Sequence, residues 1–135
     1  MSTHSTIGIQ DSDGSIDAIY CHYDGYFSNN GFLLKNHYNT LEKVQELISL
    51  GDLSYLEKNI HPTEKHDFDY PQDGVCVFYG RDRGEQNVAS QNYSDLKSFI
   101  SHAQEYAYVF KDDKWYYVNL DGYNLLTDEI IKNGT

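Results

Sequence analysis

Two β-rich runs near the start of the chain, separated by one turn signal, constrain the fold more than any other feature. Residues 5–10 and 16–23 are rich in β-forming side chains, and residues 11–14 between them read Asp-Ser-Asp-Gly. Strands joined through Asp-Gly are a strong short-range signal of a β-hairpin. Because side chains alternate between the faces of a strand, we expect Ile7 and Ile9 to share one face.

Helical spacing of apolar residues predicts one clear helix and several shorter elements downstream. Thr40 is the expected N-cap of the clear helix, Gly51 its stop, and Ser94 the cap of a later helix. Residues 61–74 are polar and contain both prolines, which predicts an exposed loop. Short helices are expected near residues 32–38, 53–60, 94–102 and 127–132, and strands near 75–79, 106–110 and 115–120.

This order of elements decides between the common architectures. A chain of 135 residues is the size of one domain, and we expect residues 1–135 to form a single one. The elements do not alternate as regular β-α-β units, which argues against a wholly parallel sheet. The sequence therefore predicts an α+β fold, with an antiparallel β-sheet of about five strands and helices packed mainly on one face.

The net charge limits the partners that this chain can bind, and the lack of targeting signals limits the compartment in which it is expected. The formal net charge is −11, which disfavours direct binding to nucleic acid or to anionic lipid, because such binding requires Lys and Arg. A partner bound through charge is expected to be basic. The start of the chain lacks a signal-peptide pattern, and no apolar run is long enough for a membrane span. We therefore expect a protein of the bacterial cytoplasm.

Residues that often carry chemistry are present, but their spacing does not support a catalytic or metal site. Neighbouring residues of a strand point to opposite faces, so Cys21 and His22 would diverge. The two cysteines, Cys21 and Cys76, form no Cys-x-x-Cys pair and are expected to be buried thiols. The other potential ligands are not spaced along the chain as zinc ligands usually are: Asp24, His37, His61 and His66. We expect no metal, no cofactor and no catalytic residue.

The segment 81–85 is the first candidate binding site, because it holds both arginines of the chain. Two interpretations of Arg81, Asp82, Arg83 and Glu85 remain open. In one, the segment is a solvated loop in which the carboxylates offset the arginines. In the other, the planar guanidinium groups form a fork that recognises a carboxylate or a phosphate.

The segment 20–26 is the second candidate, because it leaves a strand and places aromatic residues near an Asp-Gly turn. Core packing explains some of these rings, but Tyr23 or Tyr26, beside Asp24, would suit an interface anchor. The chain contains 13 tyrosines, which fits either a small core finished with amphipathic residues or an adhesive surface.

These segments also carry a resemblance to a known group of proteins. The motifs are Ser-Thr-Ile-Gly-Ile at 5–9, Ala-Ile-Tyr-Cys-His-Tyr-Asp-Gly-Tyr at 18–26 and Tyr-Gly-Arg-Asp-Arg-Gly-Glu at 79–85. Over most of its length the chain resembles a family of small proteins from bacteriophages and prophages. The resemblance implies no catalytic residues. It implies a context in which small acidic proteins often counteract bacterial immunity.

Three functional hypotheses follow from these observations. The first is a counter-defence protein of the anti-CRISPR or anti-restriction type, which inhibits an immune nucleoprotein complex by stoichiometric binding to its basic surface. The second is a protein that binds or sequesters an anionic nucleotide through Arg81 and Arg83. The third is a small enzyme acting on a phosphate-containing substrate. The strand at 115–120, interpreted as a sheet edge, favours a homodimer.

Overall fold

The amino-terminal hairpin forms the centre of a mixed β-sheet in the computed structural model, which describes residues 2–133. The strands are β1 (Ser5–Gln10), β2 (Ile16–Cys21), β3 (Leu53–Tyr55), β4 (Val77–Phe78), β5 (Gln91–Tyr93), β6 (Tyr106–Lys111), β7 (Lys114–Asn119) and β8 (Gly122–Leu125). The helices are α1 (Phe32–His37), α2 (Leu41–Ser49), α3 (Tyr79–Arg83), α4 (Leu96–His102) and α5 (Asp128–Asn133). A π-helical turn, Phe27–Gly31, precedes α1.

The sheet has the order β4-β3-β2-β1-β6-β7-β8, and β5 pairs with the first half of β2. The β1–β2 hairpin is antiparallel with Ile7 opposite Ile19, as the turn signal predicted. Two neighbouring pairs, β1–β6 and β2–β3, are parallel. The α+β prediction is confirmed, but the sheet contains eight strands instead of about five and is mixed instead of purely antiparallel.

Apolar side chains cover the two faces of the sheet unequally. The larger cluster joins β1 residues Ile7 and Ile9 to α1, α2 and α5, through Leu34, Leu47 and Ile131. A smaller cluster on the other face packs α4 against β2, β6 and β7. Helices therefore lie mainly on one face, as expected. None of the helices within residues 2–133 has the length and apolar content that a membrane crossing requires.

The clear helix follows its capping signals. The Thr40 hydroxyl accepts the backbone N–H of Lys43 at the start of α2. The later helix α4 is capped by Asp95, whose carboxylate accepts the N–H of Ser98 at 2.8 Å, so the expected cap at Ser94 was wrong by one residue. Serine and aspartate are both favourable N-cap residues, so the backbone conformation determines which of the two caps the helix.

Three local predictions were wrong, two because of strand pairing and one because of a local hydrogen bond. Residues 53–55 form β3 instead of starting a helix, since they pair with β2 and β4. Residues 79–83 form the helix α3 instead of strand and loop, with Asp82 accepting the N–H of Phe78 at 2.7 Å. The strand at 115–120 is not a sheet edge, because β7 lies between β6 and β8. The homodimer stays a prediction.

Candidate functional site

A groove lined by aromatic rings lies where β2 and β3 end beside residues 61–74. Its volume is about 240 Å³. We call it the aromatic groove, and its lining residues are Tyr23, Ser54, Tyr55, Phe68, Pro71 and Val77. The rings of Tyr23 and Tyr55 stack with their centroids 4.5 Å apart and their planes 14° apart.

Parallel pairing of β2 with β3 brings these two tyrosines together. Beyond the end of β2 the backbone continues the pairing: the N–H of His22 donates to the carbonyl oxygen of Leu53, and that of Tyr23 to Ser54, both at 3.0 Å. The two rings are therefore held near each other by backbone hydrogen bonds as well as by the packing of their side chains.

The turn after Tyr23 is fixed by buried polar groups. Asp24 adopts a left-handed conformation with φ of 59°, which aspartate tolerates better than most residues. The buried Asn30 amide donates to the Ser5 hydroxyl at 3.0 Å and to the Tyr23 carbonyl oxygen at 3.5 Å. A Cβ atom at Gly25 would lie 2.8 Å from the backbone of His4, so only glycine fits there.

The opposite wall of the groove is held by a buried ionic cluster. His66 and Asp82 have side chains that are 1% and 4% exposed, with Nε2 and Oδ2 separated by 3.3 Å. The His66 Nδ1 accepts the backbone N–H of Gln72 at 2.9 Å, so the ring proton lies on Nε2 and points to Asp82. The N–H of Phe68 donates to the carbonyl oxygen of Asp82 at 3.1 Å, which places the Phe68 ring in the groove.

Arg81 completes this cluster. Its Nη1 donates to the Ile60 carbonyl oxygen at 2.6 Å, its Nη2 to the Cys76 carbonyl oxygen at 2.9 Å, and its Nε to Asp82 at 2.9 Å. Burial opposes the ionisation of Asp82, but hydrogen bonds from Arg81 and from the Phe78 N–H hold its pKa below its usual value. The donors of Arg81 are thus occupied inside the fold.

Arg83 has a different environment at the rim of the groove. Its guanidinium carbon lies 4.2 Å from the centroid of the Phe68 ring and 5.0 Å from that of Tyr79. Its Nε donates to Glu85 at 2.9 Å. The two arginines therefore do not form a shared recognition fork: Arg81 is a structural clamp, and Arg83 is a half-exposed side chain already paired with a carboxylate.

The structure brings together part of the two segments singled out from sequence. Tyr23 lines the groove, and Arg83 covers one of its walls through Phe68. Asp24 lies just beyond Tyr23, whereas Tyr26 precedes the π-helical turn, where its carbonyl oxygen accepts the N–H of Asn29. Asp82 and Glu85 act on the arginines instead of facing the groove lining.

Sequence reasoning missed the other half of the groove. Tyr55 was assigned to a helix, while Phe68 and Pro71 fell in a loop interpreted only as polar and exposed. Tyr79 was taken for a strand residue. The alternation Phe68-x-Tyr70-Pro71 inside a polar segment was the one available signal, because apolar rings in an exposed loop often mark contact surfaces.

Asp24 acts electrostatically on the Tyr55 side of the groove. Burial, then Tyr23 and Asp24, raise the pKa of the Tyr55 hydroxyl. Burial also raises the pKa of Glu57, and the nearby charges of Asp73 and Asp24 raise it further against the opposing effect of Lys58. Asp24 therefore contributes negative potential at both Tyr55 and Glu57.

Cys21 and His22 make structural contacts beside the groove, where the His22 ring packs edge-on against Tyr23 with the centroids 4.5 Å apart. Burial raises the pKa of the Cys21 thiol to about 12, so the thiol stays protonated. The Tyr20 hydroxyl bridges His22 and His4, with distances of 2.7 and 2.8 Å to their Nδ1 atoms. Burial, followed by the charge of His4, lowers the pKa of His22. Within residues 2–133 no three His, Cys, Asp or Glu side chains are arranged to hold a metal ion.

The groove presents the stacked rings of Tyr23 and Tyr55 on one wall and the Phe68 ring on the other. Comparison with known proteins adds no analogue of it. A scan against protein-family models and searches of curated proteins and of solved structures found no match to this chain.

Proposed function

We propose that this chain is a phage- or prophage-encoded counter-defence protein that inhibits a bacterial immune nucleoprotein complex of the CRISPR or restriction type. It acts in the host cytoplasm, by one-to-one binding to a basic surface that the complex uses for nucleic acid. The observation that carries the proposal is the stack of the exposed Tyr55 on the half-buried Tyr23, which directly precedes Asp24, in a chain with a net charge of −11.

The distribution of charge supports a basic partner. The chain contains 21 acidic residues, and lysine or arginine pairs with four of them in the part that the structure describes: Asp82, Glu85, Asp112 and Asp128. Those pairs occupy both arginines together with Lys35 and Lys111, and Lys43 donates to the carbonyl oxygens of His37 and Lys58. Much of the positive charge is therefore used internally, and the surplus of carboxylates can meet a basic surface.

The rigidity of the groove supports the same proposal. Tyrosine rings contribute large contact areas with few rotatable bonds, and rings held before binding lose little entropy in a complex. Backbone pairing at Tyr23 and the clamp at Arg81 supply this pre-organisation. Aromatic residues in such pockets are typical interface hot spots.

Two observations favour this proposal over particular forms of the other hypotheses, namely a fork made by both arginines and a catalytic Cys21. A nucleotide-binding fork requires both guanidinium groups to be free, but Arg81 binds two backbone carbonyl oxygens and Asp82. An enzyme that uses Cys21 requires a reactive thiolate, but this thiol is fully buried and its pKa is raised to about 12.

Infection of defined host strains tests the proposal. Isogenic bacteria, each carrying one CRISPR or restriction system, are challenged with a phage that the system blocks, with and without expression of this chain. We expect plating to be restored in the strain whose effector is the target. The purified effector should then lose DNA binding at one equivalent of the protein, less completely as salt rises. Restoration in no strain of a panel that covers both classes would contradict the proposal.

A further inference from the structure

The size of the aromatic groove limits what it can hold. Pockets for small-molecule ligands usually enclose about 300–1,000 Å³. The groove encloses about 240 Å³, which suits one long side chain better than a nucleotide. A groove of this size therefore favours a single side chain as its occupant.

The lining of the groove favours a planar cation. The faces of Tyr23 and Tyr55 are stacked, and the Phe68 ring forms the opposite wall. A guanidinium group stacks on aromatic faces through its charge and its plane, more readily than the compact ammonium of lysine. The chain already contains this geometry, since the guanidinium carbon of Arg83 lies 4.2 Å from the Phe68 ring centroid.

The charges near the groove favour a cation as well. Asp24 follows Tyr23 directly in the chain, and its charge raises the pKa of the Tyr55 hydroxyl and that of Glu57. Among the nearby cations, Lys58 opposes this effect at Glu57, and Arg83 is paired with Glu85.

We propose that the aromatic groove binds one arginine side chain of the basic partner, with the guanidinium group against the outer face of the Tyr23–Tyr55 stack. This inference rests on the proposed function, because it names the residue of the nucleic-acid-binding surface that the groove would occupy. An arginine held in this way is removed from contact with phosphate, which would explain inhibition without mimicry of DNA.

Titration of the purified chain with short capped peptides tests this inference. Three peptides, acetyl-Gly-Arg-Gly-Arg-Gly-amide and its lysine and citrulline analogues, are compared by amide chemical-shift changes. Citrulline keeps the shape of arginine without its charge. We expect the arginine peptide to bind at least tenfold more tightly than the lysine peptide, to shift residues 23, 54, 55 and 68, and to lose this binding in the citrulline form.

Two variants locate the binding. Tyr55→Leu should weaken the arginine peptide at least tenfold, whereas Phe32→Leu should leave its affinity unchanged. These two rings have similar exposure, 39% for Tyr55 and 45% for Phe32, and Phe32 lies outside the groove.

Equal affinity for the arginine and lysine peptides, or equal effects of the two variants, would overturn the inference and leave only diffuse attraction between charges. Neither result involves a defence complex, so the infection assay stays an independent test. Conversely, if the groove selects arginine but the protein restores phage plating in no strain, the proposed function is contradicted and this inference is not.

Discussion

Arg81 and Asp82 are neighbours in the chain, and their side chains form one ion pair, with 2.9 Å between Nε and Oδ1, beneath the loop that carries Phe68. Because the arginine also binds the carbonyl oxygens of Ile60 and Cys76, this pair joins three separate parts of the backbone. The segment that suggested a ligand-binding fork is therefore the support of the groove.

Removal of this support should destabilise the whole domain. In Arg81→Met the nearly buried Asp82 carboxylate keeps the Phe78 N–H and His66 but loses its arginine partner, which typically costs about 3 kcal/mol of unfolding free energy. In Arg83→Met the half-exposed pair with Glu85 is lost, and we expect less than about 1 kcal/mol. Urea unfolding of both variants measures the difference. Equal costs would show that Arg81 is not a clamp.

The turn of the first hairpin should respond to pH through Asp11. Burial, and then the hydrogen bond and charge of Asp17, raise the pKa of Asp11 to about 6. A carboxyl group whose pKa is raised by folding stabilises the fold below its ordinary pKa and loses this contribution as pH rises through 6. Asp11→Asn should therefore be more stable than the parent at pH 7.5, by up to about 1 kcal/mol after solvent screening, and similar at pH 4.

Asp13 in the same turn provides the matched control. Hydrogen bonds from the Ser15 hydroxyl and backbone N–H lower the pKa of Asp13, so its charged form supports the turn. Asp13→Asn should not stabilise the protein at pH 7.5. If both variants were more stable, the cause would be the lower net charge of the protein instead of the loss of the Asp11 charge. Urea unfolding at the two pH values decides between these explanations.

Two glycines with positive φ should differ strongly in their tolerance of a methyl group. A Cβ atom at Gly51 would clash with the carbonyl oxygen of Val88, whereas nothing lies within 4 Å of one at Gly14. Gly14→Ala should cost about 1 kcal/mol from backbone strain alone. Gly51→Ala should cost more than about 3 kcal/mol, because the segment around Val88 must move. Thermal unfolding compares them, and similar melting temperatures would contradict the close approach at Gly51.

The buried thiols should resist labelling until the protein unfolds. Burial raises the pKa of both Cys21 and Cys76, and both side chains are inaccessible. At pH 7.5 a disulfide reagent should modify neither thiol in the native protein and both in urea. Rapid modification of Cys21 in the native state would reopen the hypothesis of a catalytic thiol.

Local signals predicted those elements that local chemistry determines. The Asp-Gly turn gave the β1–β2 hairpin, and the Thr40 hydroxyl gave the start of α2, because each depends on residues close in sequence. The three-residue strand β3 has no detectable period, and its identity comes from partners in β2 and β4.

The candidate site was predictable only in part for the same reason. Tyr23 was identified from its place after a strand, but its stacking partner Tyr55 depends on the parallel pairing of β2 with β3. The role of Arg81 depends on carbonyl oxygens of Ile60 and Cys76, which are remote in sequence. A motif of charged residues cannot by itself distinguish a free guanidinium fork from an internal clamp.

A titration of DNA release tests whether the protein contacts its target through the aromatic groove. The effector complex identified by the infection assay is bound to its target DNA and titrated with the parent chain, with Tyr23→Ala/Tyr55→Ala and with Phe32→Ala. We expect the parent and Phe32→Ala to release the DNA at one equivalent, and the double variant to require at least a tenfold excess while it remains folded. Equal release by all three proteins would contradict binding through the groove.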